Sequence, residues 1–93
     1  MDVTEFRNSL DRDAPPDGAG PALQALWYQA SGDWDRAHKL AQSQDDDVGA
    51  WVHAYLHRVE GDESNAGHWY RRAGRPHSTA ELAEEWAEIV AAL

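Results

Sequence analysis

The sequence predicts an all-α protein. Apolar residues recur at helical spacing along most of the chain, and no segment alternates with period two long enough to make a strand. The helical stretches are punctuated by glycine–aspartate pairs, Gly32-Asp33 and Gly61-Asp62, where one helix ends and the next is capped. The 93 residues make one domain, and an apolar fraction of 42% is ordinary for a globular chain.

Val3, Phe6 and Leu10 share a helical face, with Asp2 as a cap and Glu5 three residues on. Residues 1–10 are therefore read as a short N-terminal helix. Residues 11–20, "DRDAPPDGAG", combine prolines and glycines and read as a loop. That loop leaves the first helix loosely docked or docked on another molecule.

Residues 21–93 read as a single helical domain. In the first hairpin, 21–44, Pro21 suits a helix start, and Leu23, Leu26, Trp27 and Ala30 make the apolar stripe. Gly32 ends that helix. Asp33 caps "WDRAHKLAQSQ", whose apolar face is Trp34, Ala37, Leu40 and Ala41. The second hairpin spans 47–75. Asp45, Asp46 and Asp47 sit where negative charge favours a helix N-terminus, ahead of "VGAWVHAYLHRVE". Asp62 caps "ESNAGHWYRRA", which Gly74 and Pro76 terminate. Ser78 and Glu81 have capping-box spacing and open a capping helix over 79–93. Its stripe is Leu82, Trp86, Ile89, Val90 and Leu93, with Glu81, Glu84, Glu85 and Glu88 assigned to the opposite, solvent face.

The chain aligns on itself at an offset of 29 residues. Gly32-Asp33 falls on Gly61-Asp62, Ala25 on Ala54, and Ala37 on Ala66. A small residue recurs where two helices must approach closely. Each unit is a helical hairpin with a leftover apolar face that a neighbour or a cap must cover.

This pattern resembles the tetratricopeptide and Sel1-like helical repeats. In "YLHRVEGDESNAGHWYRRA", Gly61 and Asp62 stand at the turn, Ala66 and Ala73 at the small packing positions, and Tyr70 at the large aromatic one. In the first copy Ala41 replaces the aromatic and Gln44 the later alanine. The resemblance covers residues 21–76 and extends to small bacterial proteins with one such pair of hairpins. It implies two antiparallel hairpins and a protein-binding role, with no cofactor and no established activity. It also implies that the first helices line a concave surface, where Trp51, Tyr55 and Arg58 would meet a peptide.

Composition narrows the function classes. There is no cysteine, which removes disulfides and thiolate metal sites and fits a cytoplasmic protein. A net charge of −9 opposes nucleic-acid binding, and no apolar run has the roughly 20 residues that a membrane span needs. Charge is unevenly spread. Residues 51–77 are net +1, whereas the segments on either side are acidic. That one non-acidic segment carries "HWYRRAGRPH", His68 to His77.

Two sets of candidates emerge. The first is a protein- or peptide-binding surface of Trp51, Tyr55, Arg58, Trp69, Arg71, Arg72 and Arg75, aromatic and arginine residues of the kind enriched at interface hot spots. The same arginines could instead complement a helix dipole or pair with the C-terminal glutamates, and the Trp51–Arg58 stripe could pack beneath the last helix. The second is a metal site. His53 and His57 stand at i, i+4 on one helix face, and His68 on the paired helix is the expected third ligand. No serine sits in a nucleophile elbow, and no glycine-rich phosphate loop is present. A non-enzymatic interaction module is the leading expectation; the alternatives are a metal-binding protein or small metal-dependent hydrolase using the histidine cluster, and a homodimer that buries the leftover faces.

Overall fold

A computed structural model describes residues 1–93 and is all-helical, without strands. Its helices are α1 (Val3–Asn8), α2 (Pro21–Ala30), α3 (Trp34–Ser43), α4 (Asp47–Val59), α5 (Glu63–Ala73) and α6 (Leu82–Ala92), with one 3-10 turn at Ser9–Asp11. None is long and apolar enough to cross a membrane.

The 29-residue offset is visible in local geometry. Gly32 and Gly61 adopt left-handed φ values of 94° and 81°, where a side chain would be strained. The amide of Asp33 donates to the carbonyl of Tyr28 at 2.9 Å, and that of Asp62 to His57 at 2.8 Å. Each aspartate then accepts at 3.1 Å from the amide three residues on, Arg36 or Asn65. One stop-and-restart device is thus used twice. Ala25, Ala37, Ala54 and Ala66 are all fully buried where the helices meet.

Helix α4 is the centre. Every residue from Gly49 to His57 is buried, as expected of a helix covered on several sides. It packs against α2, α3, α5 and α6. Its own Val52 and Leu56 are fully buried, as are Leu26 of α2 and Ile89 and Val90 of α6, each contributing about 1.5–3 kcal/mol by leaving water. Truncating Leu56 to alanine would cost about 2–5 kcal/mol.

The first helix is firmly docked. Phe6 is fully buried and meets Trp86 of α6 with ring centroids 5.6 Å apart. Trp27 Nε1 donates to the carbonyl of Ser9 at 3.3 Å, fixing the 3-10 turn on α2.

Two expectations need correction. The last helix begins at Leu82 and not at residue 79. Ser78 caps no helix; its hydroxyl accepts from the nearby amide of Ala80 at 3.2 Å. The carbonyl of Ala80 is taken instead by Arg58 at 2.6 Å, and Glu81 stays extended at φ −59°, ψ 147°. The second correction is Glu85. It faces the interior and not solvent, with 1% of its surface exposed.

Candidate functional site

Glu85 explains where the aromatic–arginine stripe goes. Helix α6 lies across α4 and presents the Glu85 carboxyl group to three donors. Arg58 donates to Oε1 at 2.7 Å, Trp51 Nε1 to Oε2 at 3.2 Å, and the Tyr70 hydroxyl reaches both oxygens at 2.6 Å. Burial, the hydrogen bond to Glu85 and the adjacent charge push the Tyr70 phenol well above its ordinary pKa of 10, so it stays a donor. Tyr55 is likewise buried, with its hydroxyl 3.3 Å from Gln29 Oε1 and its pKa pushed up to about 12 by burial and by Glu85. Trp51 and Arg58 therefore bond the chain's own last helix instead of a peptide. Trp51, Tyr55 and Arg58 are packed beneath it and are not an open surface.

The arginines at the end of α5 behave differently. Arg71, Arg72 and Arg75 are exposed, and none pairs with a glutamate of α6. Arg72 makes one long, solvent-exposed contact, 3.5 Å to Asp45. Its guanidinium stands 5.4 Å from the ring centre of the half-buried Trp69. The Arg75 guanidinium stands over the ring of Trp51, 3.4 Å from its centre. The set thus divides around α5: Arg72 and Trp69 rim a cavity of about 220 Å³ with Asp45 and Asp46, while Arg75 lies on the side of Trp51.

The histidines gather at the seam between α3 and α4. His53 and His57 lie one turn apart on α4 with rings stacked at 4.9 Å. The third member is His38 of α3, 4.5 Å from His53 and 5.4 Å from His57 between ring centres. One ligand atom from each lies within 4.8 Å of the others. The expected third ligand, His68, is outside the group, its ring perpendicular to that of Trp69 with centres 5.3 Å apart. Trp69 stacks on His53 at 3.8 Å and 12°, and Trp34 stacks on His38 at 4.8 Å and 12°. Burial, with the neighbouring His38, His57 and His68, lowers the His53 pKa to about 3. Burial and His57 lower that of His38 too. Around neutral pH these two rings are therefore uncharged and keep nitrogen lone pairs.

Neither Glu85 nor His38 was singled out as a site residue, though both left a signal. At about 100° per residue, Glu85 falls about 40° from Ile89 on the helix wheel, at the edge of the apolar stripe. His38 lies one position from the buried Ala37 on α3. Only the packing of α3 against α4 brings it to His53 and His57.

No protein-family model, curated protein or solved structure matches this chain.

Proposed function

We propose that the chain is a small, non-enzymatic protein-interaction module of two tetratricopeptide-like hairpins. Its contact residues are Trp69, Arg71, Arg72 and Arg75 at the end of α5, and its partner is an acidic segment of another protein. One observation carries this reading: these three arginines stay exposed and unneutralised by the glutamates of α6, in a chain of net charge −9. Exposed arginine beside an aromatic ring suits hot-spot contacts with carboxylates, because the planar guanidinium can donate two parallel hydrogen bonds. Helix α6, seated through Glu85 on Trp51, Arg58 and Tyr70, illustrates the same chemistry within the chain.

The test is crosslinking of the tagged protein in its native host, beside a variant carrying Arg71→Glu, Arg72→Glu and Arg75→Glu. Loss of the captured acidic partner from the variant supports the proposal. Retention of the same partners by the variant, or capture of nothing but a second copy of the chain, overturns it.

A further inference from the structure

The histidine cluster calls for an account of its own, because packing alone does not explain its composition. His53 and His57 are only 3% and 7% exposed. His57 Nδ1 is 2.6 Å from Glu60 Oε1, but no protein group hydrogen-bonds a ring nitrogen of His38 or His53. No polar side-chain atom sealed from water lacks a partner, so the nitrogens of His53 keep a small opening to solvent. A ring nitrogen with no protein partner and restricted access to water is less well satisfied than one in bulk solvent, and it keeps its lone pair for a ligand.

We propose that His38, His53 and His57 form a binding site for one divalent transition-metal ion of the zinc type, with Glu60 positioning His57. Three lines of chemistry converge on that class of ion. The ligands are imidazoles alone, which suit zinc, nickel or copper; calcium and magnesium demand oxygen donors. Histidines at i, i+4 on one helix, with a third from the facing helix, supply three ligands and leave a fourth position for water. The Glu60 carboxylate on Nδ1 orients the His57 ring and leaves Nε2 to face the ion, the arrangement by which carboxylates fix ligating histidines.

The surroundings are preorganised. Trp34 holds the plane of His38 from one side and is itself anchored by Nε1 donating to the carbonyl of Leu56 at 2.8 Å. Trp69 holds the plane of His53 from the other. Nitrogens about 2.0–2.1 Å from a tetrahedral zinc stand about 3.3 Å apart. The cluster therefore closes on an ion through small ring movements. Because His38 is on α3 and its partners are on α4, the ion would tie the two hairpins together across their seam.

The test uses the full chain, stripped with chelator and titrated with zinc by calorimetry, alongside thermal melting. The expected result is one zinc per chain and a higher melting temperature. Glu60→Gln weakens binding about 10–100-fold, His38→Gln and His57→Gln weaken it at least as much, and His68→Gln leaves it unchanged. Absence of stoichiometric zinc in the wild-type chain overturns the proposal. So does zinc binding that survives His38→Gln, which would place the ion on the carboxylates of Glu60 and Asp62 beside His57. X-ray absorption of the zinc-loaded wild-type chain needs no variant to fold. Imidazole-dominated scattering supports the site, and a carboxylate-oxygen shell overturns it.

Discussion

Glu85 of α6 and Arg58 of α4 form a buried ion pair, 2.7 Å apart, with side chains 1% and 10% exposed. Trp51 and Tyr70 complete the hydrogen bonding of the carboxyl group, and the carbonyl of Ala80 takes the second arm of the guanidinium. Such a pair is a weak source of net stability, but breaking it strands a charge in the interior. Glu85→Ala should therefore destabilise the fold by about 3–5 kcal/mol, measured by urea unfolding. An apolar replacement of both partners, Arg58→Met with Glu85→Leu, should recover only part of that loss, because Trp51 Nε1 and the Tyr70 hydroxyl then lose their acceptor. If Glu85→Ala unfolds at the wild-type midpoint, α6 is not held by this contact.

Two glycines should respond differently to alanine. A Cβ on Gly49 would overlap the backbone carbonyl oxygen of Gln44, where the chain turns from α3 into α4. The obstacle is main chain, so the turn itself must move. Gly32 has open space around it, and only its φ of 94° resists a side chain. Gly32→Ala should cost about 1–3 kcal/mol in backbone strain. Gly49→Ala should cost more and shift the amide signals of the α3–α4 turn. Equal denaturation midpoints for the two variants would contradict this ranking.

The helices were legible in the sequence because their ends are chemically marked. Gly32-Asp33 and Gly61-Asp62 set two boundaries, and both turns have the geometry that their residues predict. The site was less legible because it depends on contacts between segments distant in sequence. His53 and His57 announce themselves at i, i+4, but His38 joins them only through the packing of α3 against α4. Glu85 misled for a related reason. A glutamate beside an apolar stripe reads as solvated until Arg58, 27 residues earlier, is found facing it. The late start of α6 follows from the same pair, since Arg58 claims the carbonyl of Ala80.

Trp34 joins α3 to α4 through a single hydrogen bond, Nε1 to the carbonyl of Leu56 at 2.8 Å. That carbonyl lies near the end of α4 and also accepts from the amide of Glu60 at 3.2 Å. Trp34→Phe keeps an aromatic ring beside His38 and removes the donor. The expected loss is about 0.5–1.5 kcal/mol by chemical denaturation, with the helical circular-dichroism signal unchanged. A loss near 4 kcal/mol would instead be of the size of a large-to-small core truncation.

Acid should destabilise the protein in two stages. An ordinary histidine titrates near 6.5, whereas in the fold His53 takes a proton only near 3, and His38 is lowered in the same direction. As pH falls below 6.5, the unfolded chain binds protons that the folded chain refuses. The equilibrium therefore shifts toward unfolding, and the slope persists down to about 3. Asp46 and Asp62 act later. Their carboxylates are held below the ordinary 3.8, chiefly by the helix-start amides of Gly49 and Asn65. The stability they contribute is present above 3.8 and is lost below it. Urea midpoints should accordingly decline from pH 7 to pH 4.5 in the metal-free chain, before either aspartate is protonated. His53→Phe keeps a ring against Trp69 and removes the titrating group, so its midpoint should vary less over the same interval. An identical decline in that variant would assign the titration to other groups.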